Sequence, residues 1–323
     1  MGLDQQSLIE MVARHVEPRR VPARVRLHTD TTDFFRVDYD DVLLLAGRPY
    51  FIRHYEREGR FGIDEQPKHW VRRAIDLTDG SLKVIKMVFH ERFTAHVAGL
   101  SYDCVRSPRK EARVLSLVSG MQRFMQGFTV QDEAGNLVRV IDYIKGVTWP
   151  EYVSRLGGEY EDFYARHLPG VLDEFIGLTE AVAFLHANGE NHGDIRRDHI
   201  IKEYGSDLCR WIDFDYNCFH DESLHGYDLA GLGNVLLFVV GRGDVTVQEL
   251  ERSRPDVLAR ITHEDVNVLF HNRVNNLRKV YPCVSGALNR VLMHFSISAP
   301  VFYDRADQLL DDLREARLGM TGG

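Results

Sequence analysis

The period of the hydrophobic pattern changes along the chain and predicts three successive regions. Residues 4–16 carry apolar side chains at helical spacing, which predicts a helix that ends before Pro18. From about residue 40 to residue 145, short runs of β-forming residues alternate with turns, and one helix is predicted over residues 108–119. Helical runs predominate after residue 146. The pattern therefore predicts a β-rich region followed by a mostly helical one.

The predicted elements of the two larger regions are separated by turn residues and helix breakers. The strands are Val42–Ala46, Pro49–His54, Trp70–Leu77, Ser81–Phe89, Phe128–Gln131 and Leu137–Ile144. The helices are Leu168–Asn188, Tyr227–Val240, Glu264–Val280, Ser285–His294 and Tyr303–Leu318. Two further β runs, Ile200–Lys202 and Cys209–Phe214, lie between the first two of these helices.

Together these elements predict an α+β fold with two lobes. A small antiparallel-sheet lobe with one key helix would span residues 46–145, and a larger helical lobe would span residues 146–323. Residues 1–45 are expected to form an N-terminal extension. With 323 residues, of which 44% are hydrophobic, the chain is long enough for two lobes with separate cores.

The charge balance and the apolar runs disfavour several function classes. Forty Lys and Arg residues against 48 Asp and Glu residues give a formal charge of −8, so no general cationic surface for nucleic acid or an anionic membrane is expected. The longest apolar run, Val235–Val240, is far shorter than the roughly 20 residues of a membrane helix. Residues 1–20 lack the apolar core of a signal peptide. We therefore expect a cytoplasmic protein with no membrane and no nucleic-acid partner.

The cysteines and histidines show no metal-binding spacing. The four cysteines, Cys104, Cys209, Cys218 and Cys283, include no Cys-x-x-Cys pair, so they are expected to be reduced and mostly structural. The histidines of the central region are His186, His192, His199, His220 and His225. No pair of them has the spacing of a known zinc motif, so a zinc cluster is not expected.

Two carboxylate-bearing segments carry the most informative chemistry. The sequence His-Gly-Asp-Ile-Arg-Arg-Asp-His, residues 192–199, places Asp194 on a loop after a predicted helix. Nineteen residues later, Asp213 begins an Asp-Phe-Asp tripeptide at the end of a short predicted hairpin. The two carboxylates could meet at one point, which would suit a proton acceptor beside a metal ligand.

These segments resemble the protein-kinase-like superfamily, in which one loop holds the catalytic Asp and a second Mg²⁺ ligand, and an Asp-Phe-Gly tripeptide supplies the first ligand. The resemblance covers roughly residues 48–318 and implies that Asp194 is the catalytic residue and Asp213 the first metal ligand. It also implies that Lys86, which closes a Lys-Val-Ile-Lys run on a predicted strand, pairs with the phosphates of ATP. Glu111 matches the helix glutamate that positions this lysine.

The same resemblance implies two further nucleotide-binding segments. Residues 140–146 resemble the hinge that binds adenine through backbone groups, which here belong to Asp142 and Ile144. Gly59 and Gly62 correspond to the glycine-rich loop over the phosphates, but only two of its three glycines are present. These two glycines either let the backbone approach phosphates or merely turn a hairpin.

The chain departs from the family pattern around its catalytic loop. His199 stands where the family has Asn, and the resemblance implies that it is the second metal ligand unless it only packs or hydrogen-bonds. Arg196 replaces a lysine that neutralises the transferring phosphate, and a guanidinium could do the same. Only fifteen residues separate Asp213 from Asp228, an anchoring aspartate expected to be structural, so no ordinary activation segment fits. In this last respect the chain is more similar to aminoglycoside phosphotransferases and other atypical kinases.

The resemblance implies a phosphotransferase that uses ATP and Mg²⁺, or Mn²⁺, to phosphorylate a hydroxyl group. The closing helices resemble those of bacterial Ser/Thr kinases, which favours an atypical Ser/Thr protein kinase as the function. The missing activation segment leaves a small-molecule kinase, acting on a sugar or an aminoglycoside-like acceptor, as an alternative. A pseudokinase that serves as a nucleotide-binding or scaffold module is a further alternative. After the enzyme and the pseudokinase, the third class of function is an adaptor that binds nucleic acid or a membrane through residues 14–26.

Overall fold

The computed structural model describes residues 4–58, 66–97, 99–206, 208–221 and 223–320. The chain forms two compact units. Unit 1 comprises residues 1–91, 106–121 and 125–144, and unit 2 comprises residues 92–105, 122–124 and 145–323. The long helical runs of the second half therefore fold together with a short insertion from the first half.

The strands and helices are numbered in chain order. The strands are β1 (Leu27–His28), β2 (Val42–Leu45), β3 (Arg48–Glu58), β4 (Gln66–Asp76), β5 (Leu82–Lys86), β6 (Arg92–Val97), β7 (Leu100–Arg106), β8 (Gly127–Gln131), β9 (Leu137–Asp142), β10 (Gly146–Thr148), β11 (Ile200–Glu203), β12 (Cys209–Trp211) and β13 (Tyr216–Phe219). The helices are α1 (Gln5–Ala13), α2 (Pro108–Leu117), α3 (Trp149–Ser154), α4 (Tyr160–Asp162), α5 (Leu168–Ala187), α6 (Gly226–Gly241), α7 (Val247–Ser253), α8 (Pro255–Leu258), α9 (Leu277–Val280), α10 (Gly286–Met293) and α11 (Ala306–Leu318).

Unit 1 is built on one sheet whose strand order is β1-β2-β3-β4-β5-β9-β8. The pair β1 and β2 is parallel, and every other neighbouring pair is antiparallel. Side chains that alternate along these strands form a fully buried cluster, which includes Tyr50, Ile52, Ile85 and Val140. The predicted antiparallel sheet is therefore confirmed, and the structure adds β1 at one edge.

Helix α2 belongs to the same unit and begins as the sequence predicts. Ser107 is the N-cap, and its hydroxyl oxygen accepts a hydrogen bond from the Lys110 N–H at 3.3 Å. Pro108 occupies the first helical position, where its missing N–H and fixed φ cause no loss. Val114 and Leu115 are buried, and Glu111 is buried with them. The predicted helix over residues 108–119 is thus confirmed with slightly shorter bounds.

The N-terminal segment packs onto the same unit. Leu8 and Val12 on α1 are buried in one apolar cluster with Val42, Phe51 and Leu77 of the sheet and its flanks. The predicted N-terminal helix is confirmed, and it covers apolar surface that the sheet would otherwise expose. This explains why a short helix with no acidic residue in its first turn is stable here, because tertiary packing supplies most of its stability.

Unit 2 is mostly helical, and its long helices match the prediction. Helix α5 spans 20 residues, nine of them buried, and α6, α10 and α11 lie close to their predicted bounds. A small antiparallel sheet of order β10-β11-β12 corresponds to the two predicted β runs. The α+β fold class is therefore confirmed, with a sheet-rich unit 1 and a helix-rich unit 2.

The predicted helix Glu264–Val280 is wrong. A single 3₁₀ turn occupies 263–265, and only α9 at the end of the segment is helical. The buried carboxylate of Asp265 accepts hydrogen bonds from the Thr262 N–H, the Asn276 amide and the Lys279 ammonium. These side-chain bonds compete with the helical backbone ladder, which is why the apolar spacing of this segment is misleading.

Unit 2 also contains a three-stranded sheet that the sequence analysis does not predict. The hairpin of β6 and β7 pairs in register from Arg92↔Val105 to Val97↔Leu100, and β13 lies on the other side of β7. The sheet brings Cys104 and Cys218 into a disulfide. The expectation that every cysteine is reduced is therefore wrong for this pair, while Cys209 and Cys283 are free thiols. Sequence reasoning missed the pairing because the two cysteines are 114 residues apart.

Within the residues that the structure describes, no helix is both long and apolar enough to cross a membrane.

Truncation of the buried leucine of α1 tests whether the N-terminal segment stabilises unit 1. Leu8→Ala removes a side chain that is 1% exposed, so we expect the free energy of unfolding to fall by about 2–5 kcal/mol. Glu10→Ala, an exposed position on the same helix, should change it by less than about 0.5 kcal/mol. Urea unfolding followed by circular dichroism measures both. Equal values for the two variants would show that α1 does not contribute to the core.

Candidate functional site

The loop that carries Asp194 begins at a position where only glycine fits. Gly193 has φ +81°, and a Cβ built there would lie 1.8 Å from the Tyr216 carbonyl oxygen. The backbone of the loop and the start of β13 are therefore in close contact. An arginine cannot occupy this position in this packing, which gives a structural reason for the His-Gly-Asp sequence.

The carboxylate of Asp228, at the start of α6, holds this loop in place. It accepts hydrogen bonds from the backbone N–H groups of His192 at 2.6 Å and Gly193 at 2.7 Å, and from His186 Nε2 at 3.0 Å. Burial alone would raise the pKa of Asp228, but the hydrogen bond and charge of His186, together with the backbone donors, lower it to about 2. Asp228 therefore stays ionised and acts as an anchor, which is the structural role expected for it.

Asp194 and Asp213 lie on either side of one imidazole. His199 Nδ1 is 3.5 Å from Asp194 Oδ2, and His199 Nε2 is 3.7 Å from Asp213 Oδ2. The His199 side chain is buried, whereas the two carboxylates are 14% and 18% exposed. The structure thus brings together three of the residues that sequence reasoning singled out, all of them within unit 2.

The backbone explains how this arrangement forms. The His199 carbonyl accepts a hydrogen bond from the Ile212 N–H at 3.0 Å, so the residue before Asp213 is fixed next to the end of the loop. On the other side, β12 is tied to α5, because the Trp211 indole N–H donates to the Leu178 carbonyl at 3.0 Å. Asp213 itself has φ +61°, a left-handed conformation that is uncommon for a residue with a side chain but that aspartate adopts more readily than most.

The imidazole of His199 suits a role as metal ligand. Its Nδ1 donates to the Asp194 backbone carbonyl at 2.9 Å, which fixes the proton on Nδ1 and directs the lone pair of Nε2 toward the Asp213 carboxylate. One nitrogen and one carboxylate oxygen are a donor set that a divalent cation accepts when water or phosphate completes its shell. No group of three or more His, Cys, Asp or Glu side chains with metal-binding geometry exists among the described residues.

Arg196, by contrast, is already paired within the loop. Its Nε donates to Asp198 Oδ1 at 3.0 Å, and its terminal nitrogen bonds the other oxygen of the same carboxylate. Burial would raise the pKa of Asp198, but the nearby His199 and the Arg196 guanidinium hold it below its usual range. Much of the charge of Arg196 is therefore compensated locally, and its contact with a transferring phosphate stays a prediction.

Unit 1 contains a separate charged cluster around Lys86. Lys86 Nζ lies 2.6 Å from Glu111 Oε1, and Arg139 Nε donates to Glu111 Oε2 at 2.9 Å. All three side chains are at most 4% exposed. The pair of strand lysine and helix glutamate is therefore formed, and a third residue shares the glutamate.

The two hinge positions lie at the end of β9 and just after it. The Asp142 N–H donates to the Gln126 carbonyl at 2.8 Å, so this N–H is already engaged within unit 1. The Asp142 side chain is paired with Lys83 at 2.5 Å. The adenine-binding role of Asp142 and Ile144 stays a prediction. Gly59 and Gly62 lie outside the described residues.

Sequence reasoning missed Arg139. The signal was present, because Arg139 interrupts an apolar strand run between Val138 and Val140, which are both buried. A charge at an apolar position of a central strand is costly unless it has a buried partner. The strand pattern alone could not identify that partner, since Glu111 lies 28 residues earlier in the chain.

The pH dependence of stability tests the Asp228 anchor. A carboxyl whose pKa falls from 3.8 to about 2 on folding stabilises the folded state above its unfolded pKa, and this stabilisation is lost as the pH falls through about 2. The effect should be on the order of 2 kcal/mol. Urea unfolding of the wild type and of Asp228→Asn at pH values from 6 to 2 measures it. We expect the variant to be less stable at pH 6 and to lose less stability on acidification; parallel pH profiles would contradict the anchor.

No protein-family model matches the chain, and no curated protein does. Among solved structures, a mutant of the PknI kinase domain from Mycobacterium tuberculosis is similar, with a TM-score of 0.47 and 13% sequence identity. The match covers 84% of this chain and 96% of that chain. The functional interpretation of this chain therefore depends on its own side chains.

Proposed function

We propose that the protein is an ATP- and divalent-metal-dependent phosphotransferase that moves the γ-phosphate to a hydroxyl group. The observation that carries the proposal is the convergence of Asp194 and Asp213 on the fixed imidazole of His199. Phosphoryl transfer needs little covalent chemistry from a protein, but it needs a positioned carboxylate for the acceptor and a held metal for the phosphates. This trio supplies both kinds of group.

In this mechanism Asp194 accepts a hydrogen bond from the acceptor hydroxyl, orients it and takes its proton as the phosphate is transferred. Asp213 and His199 would hold Mg²⁺ or Mn²⁺, which when bound neutralises charge on the phosphates. A cation held by one carboxylate and one imidazole keeps its remaining positions for water and phosphate oxygens. The left-handed backbone of Asp213 sets the direction in which its side chain leaves the main chain.

Lys86 would bind the α- and β-phosphates of ATP, with Glu111 holding the ammonium in place. The ion pair at 2.6 Å is buried, so it is formed at a considerable desolvation cost. A buried ammonium that is held in one direction is suited to an incoming anion. A surface ion pair would orient it much less well, since exposed pairs contribute little.

The acceptor class is narrowed by the segment between Asp213 and α6. Part of it forms β13, which pairs with the β6–β7 hairpin and carries the disulfide to Cys104. A peptide platform of the ordinary length does not fit into the fifteen residues before Asp228. We propose a serine or threonine hydroxyl of a dedicated protein partner as the acceptor, with a small molecule as the alternative.

A pseudokinase is the competing function, and two observations favour it. The charge of Arg196 is shared with Asp198, and the candidate metal position has only two ligand side chains among the described residues. Against a pseudokinase that binds no nucleotide stands the burial of Lys86, Glu111 and Arg139. A scaffold would gain stability if apolar residues replaced such a cluster.

Thermal unfolding with nucleotide and metal tests the proposed binding site. The wild type should be stabilised by several degrees only when ATP is combined with Mg²⁺ or Mn²⁺, because a ligand at one hundred times its Kd adds about 2.7 kcal/mol. Lys86→Ala and Asp213→Ala should each lose the shift. Asp221→Ala, an exposed aspartate of the same segment, is the control and should keep it. No shift of the wild type at millimolar ATP would sink the proposed site.

The Asp194→Asn variant separates the enzyme from the pseudokinase. Asparagine keeps the size of the side chain but cannot take the proton, so transfer of labelled phosphate from ATP should fall by about 10²- to 10⁴-fold. The thermal shift with ATP and metal should persist, because Asp194 is not needed to bind the nucleotide. The acceptors supplied would be serine and threonine peptides and, in parallel, a mixture of sugars and aminoglycosides. Equal transfer by the variant and the wild type would show that Asp194 does not take the proton, and nucleotide binding without transfer by the wild type would favour the pseudokinase.

A further inference from the structure

The two cations that contact Glu111 are neighbours on adjacent strands of the sheet. Lys86 on β5 and Arg139 on β9 are direct partners in the antiparallel register. Like charges at directly opposite positions destabilise a strand pair, and burial strengthens their repulsion. Glu111 on α2 places one carboxylate oxygen on each cation, at 2.6 and 2.9 Å. The carboxylate therefore bridges two neighbouring strands to the helix.

Arg139 is fixed by more than this ion pair. One terminal nitrogen donates to the Met87 carbonyl at 3.1 Å, and the other donates to the Leu137 carbonyl at 2.5 Å. Met87 directly follows Lys86, and Leu137 lies on the same strand as Arg139. The planar guanidinium thus makes three directed contacts from one rigid group, which a lysine ammonium at the same place could not reproduce.

We propose that Arg139 is a positioning residue that holds the Glu111 carboxylate, and with it helix α2, in the placement that presents Lys86 to the phosphates of a nucleotide. The tether between strand and helix does not depend on any ligand. The consequence for phosphates rests on the proposed function. Arg139 need not touch the nucleotide itself.

Glu111 shares its carboxylate between Lys86 and Arg139, and this sharing shows what the second cation contributes to the orientation of the carboxylate. If Glu111 paired with Lys86 alone, one of its oxygens would need another donor in the interior, and the carboxylate could rotate about its side-chain bonds. Arg139 occupies that oxygen and fixes the orientation of the carboxylate. It also takes part of the negative charge of the carboxylate, while Lys86 is held in direction by the other oxygen.

The test compares Arg139→Leu and Arg139→Lys with the wild type in the full-length protein. The control is Arg109→Leu, which removes an exposed arginine from the first turn of the same helix. Two measurements need no nucleotide: hydrogen exchange of the α2 backbone amides, and the acylation rate of the Lys86 amine followed by mass spectrometry. Two further measurements are the Kd values for ATP with Mg²⁺ and for adenosine, obtained by calorimetry.

For Arg139→Leu we expect faster exchange in α2, faster acylation of Lys86, and an ATP Kd raised by about tenfold or more, since a misplaced binding group loses its directed contact. The Kd for adenosine should stay unchanged, because adenosine has no phosphates for Lys86. A residue that only stabilised the fold would weaken both ligands alike. Arg139→Lys should fall between the wild type and Arg139→Leu, and Arg109→Leu should match the wild type.

These measurements distinguish a failure of the proposed function from a failure of the proposed role of Arg139. If the wild type binds no ATP, the proposed function fails, while exchange and acylation still decide whether Arg139 holds the helix. If Arg139→Leu leaves both exchange and acylation at wild-type values, the tether is wrong whatever the nucleotide does. Should Arg139→Leu fail to fold, Arg139→Lys decides alone, because a lysine keeps the charge but loses the two carbonyl contacts.

Discussion

The buried carboxylate of Asp228 is the interaction on which the candidate site of unit 2 depends. It binds two consecutive backbone N–H groups, those of His192 and Gly193, and so determines the path of the chain into Asp194. Backbone donors in a loop normally need water or a regular partner strand. Here one carboxylate serves both donors and is itself held by His186 from α5. The loop is therefore fixed by α5 and α6, two helices that the sequence analysis predicts.

Once the loop is fixed, its neighbours have little freedom. The close approach of Gly193 to the Tyr216 carbonyl sets the position at which the chain leaves Asp213 and enters β13. The β6–β7 hairpin then pairs with β13, and the Cys104–Cys218 disulfide joins the two. A short segment after Asp213 is stable in this arrangement because strand pairing replaces the contacts that a longer segment would make with itself.

How well the sequence predicts each element depends on how far along the chain the interactions that fix that element reach. Helices α2, α5 and α11 were predictable because caps and apolar spacing act within a few residues. The false helix Glu264–Val280 shows the limit, since the buried Asp265 binds partners up to 14 residues away and overrides local periodicity. The β6–β7 hairpin was a different failure, because both strands alternate between exposed and more buried positions, a pattern that sequence analysis can recognise.

The site residues also fall into two groups, those that a short motif marks and those that only tertiary contacts place. The positions of Asp194, Asp213 and Asp228 were predictable because short motifs mark them, and the structure adds the distances that make them one constellation. No motif marks Arg139, and no spacing shows that Glu111 has two partners, because the cross-strand register that places Arg139 opposite Lys86 is a tertiary property. The available clue was the single charge within an apolar strand. It shows that Arg139 needs a buried partner, but it does not show which residue that partner is.

Shared partners are the feature that both charged constellations have in common. Glu111 lies between two cations, and the His199 imidazole lies between two carboxylates. Each shared group orients both of its partners, because one carboxylate or one imidazole contacts the two at once. Such sharing gives up part of the stability that a fully satisfied pair or an apolar core would supply. An anion that reached Lys86 and a cation that reached Asp213 would give that loss a physical reason, and this supports the proposed nucleotide and metal site over a scaffold that binds neither.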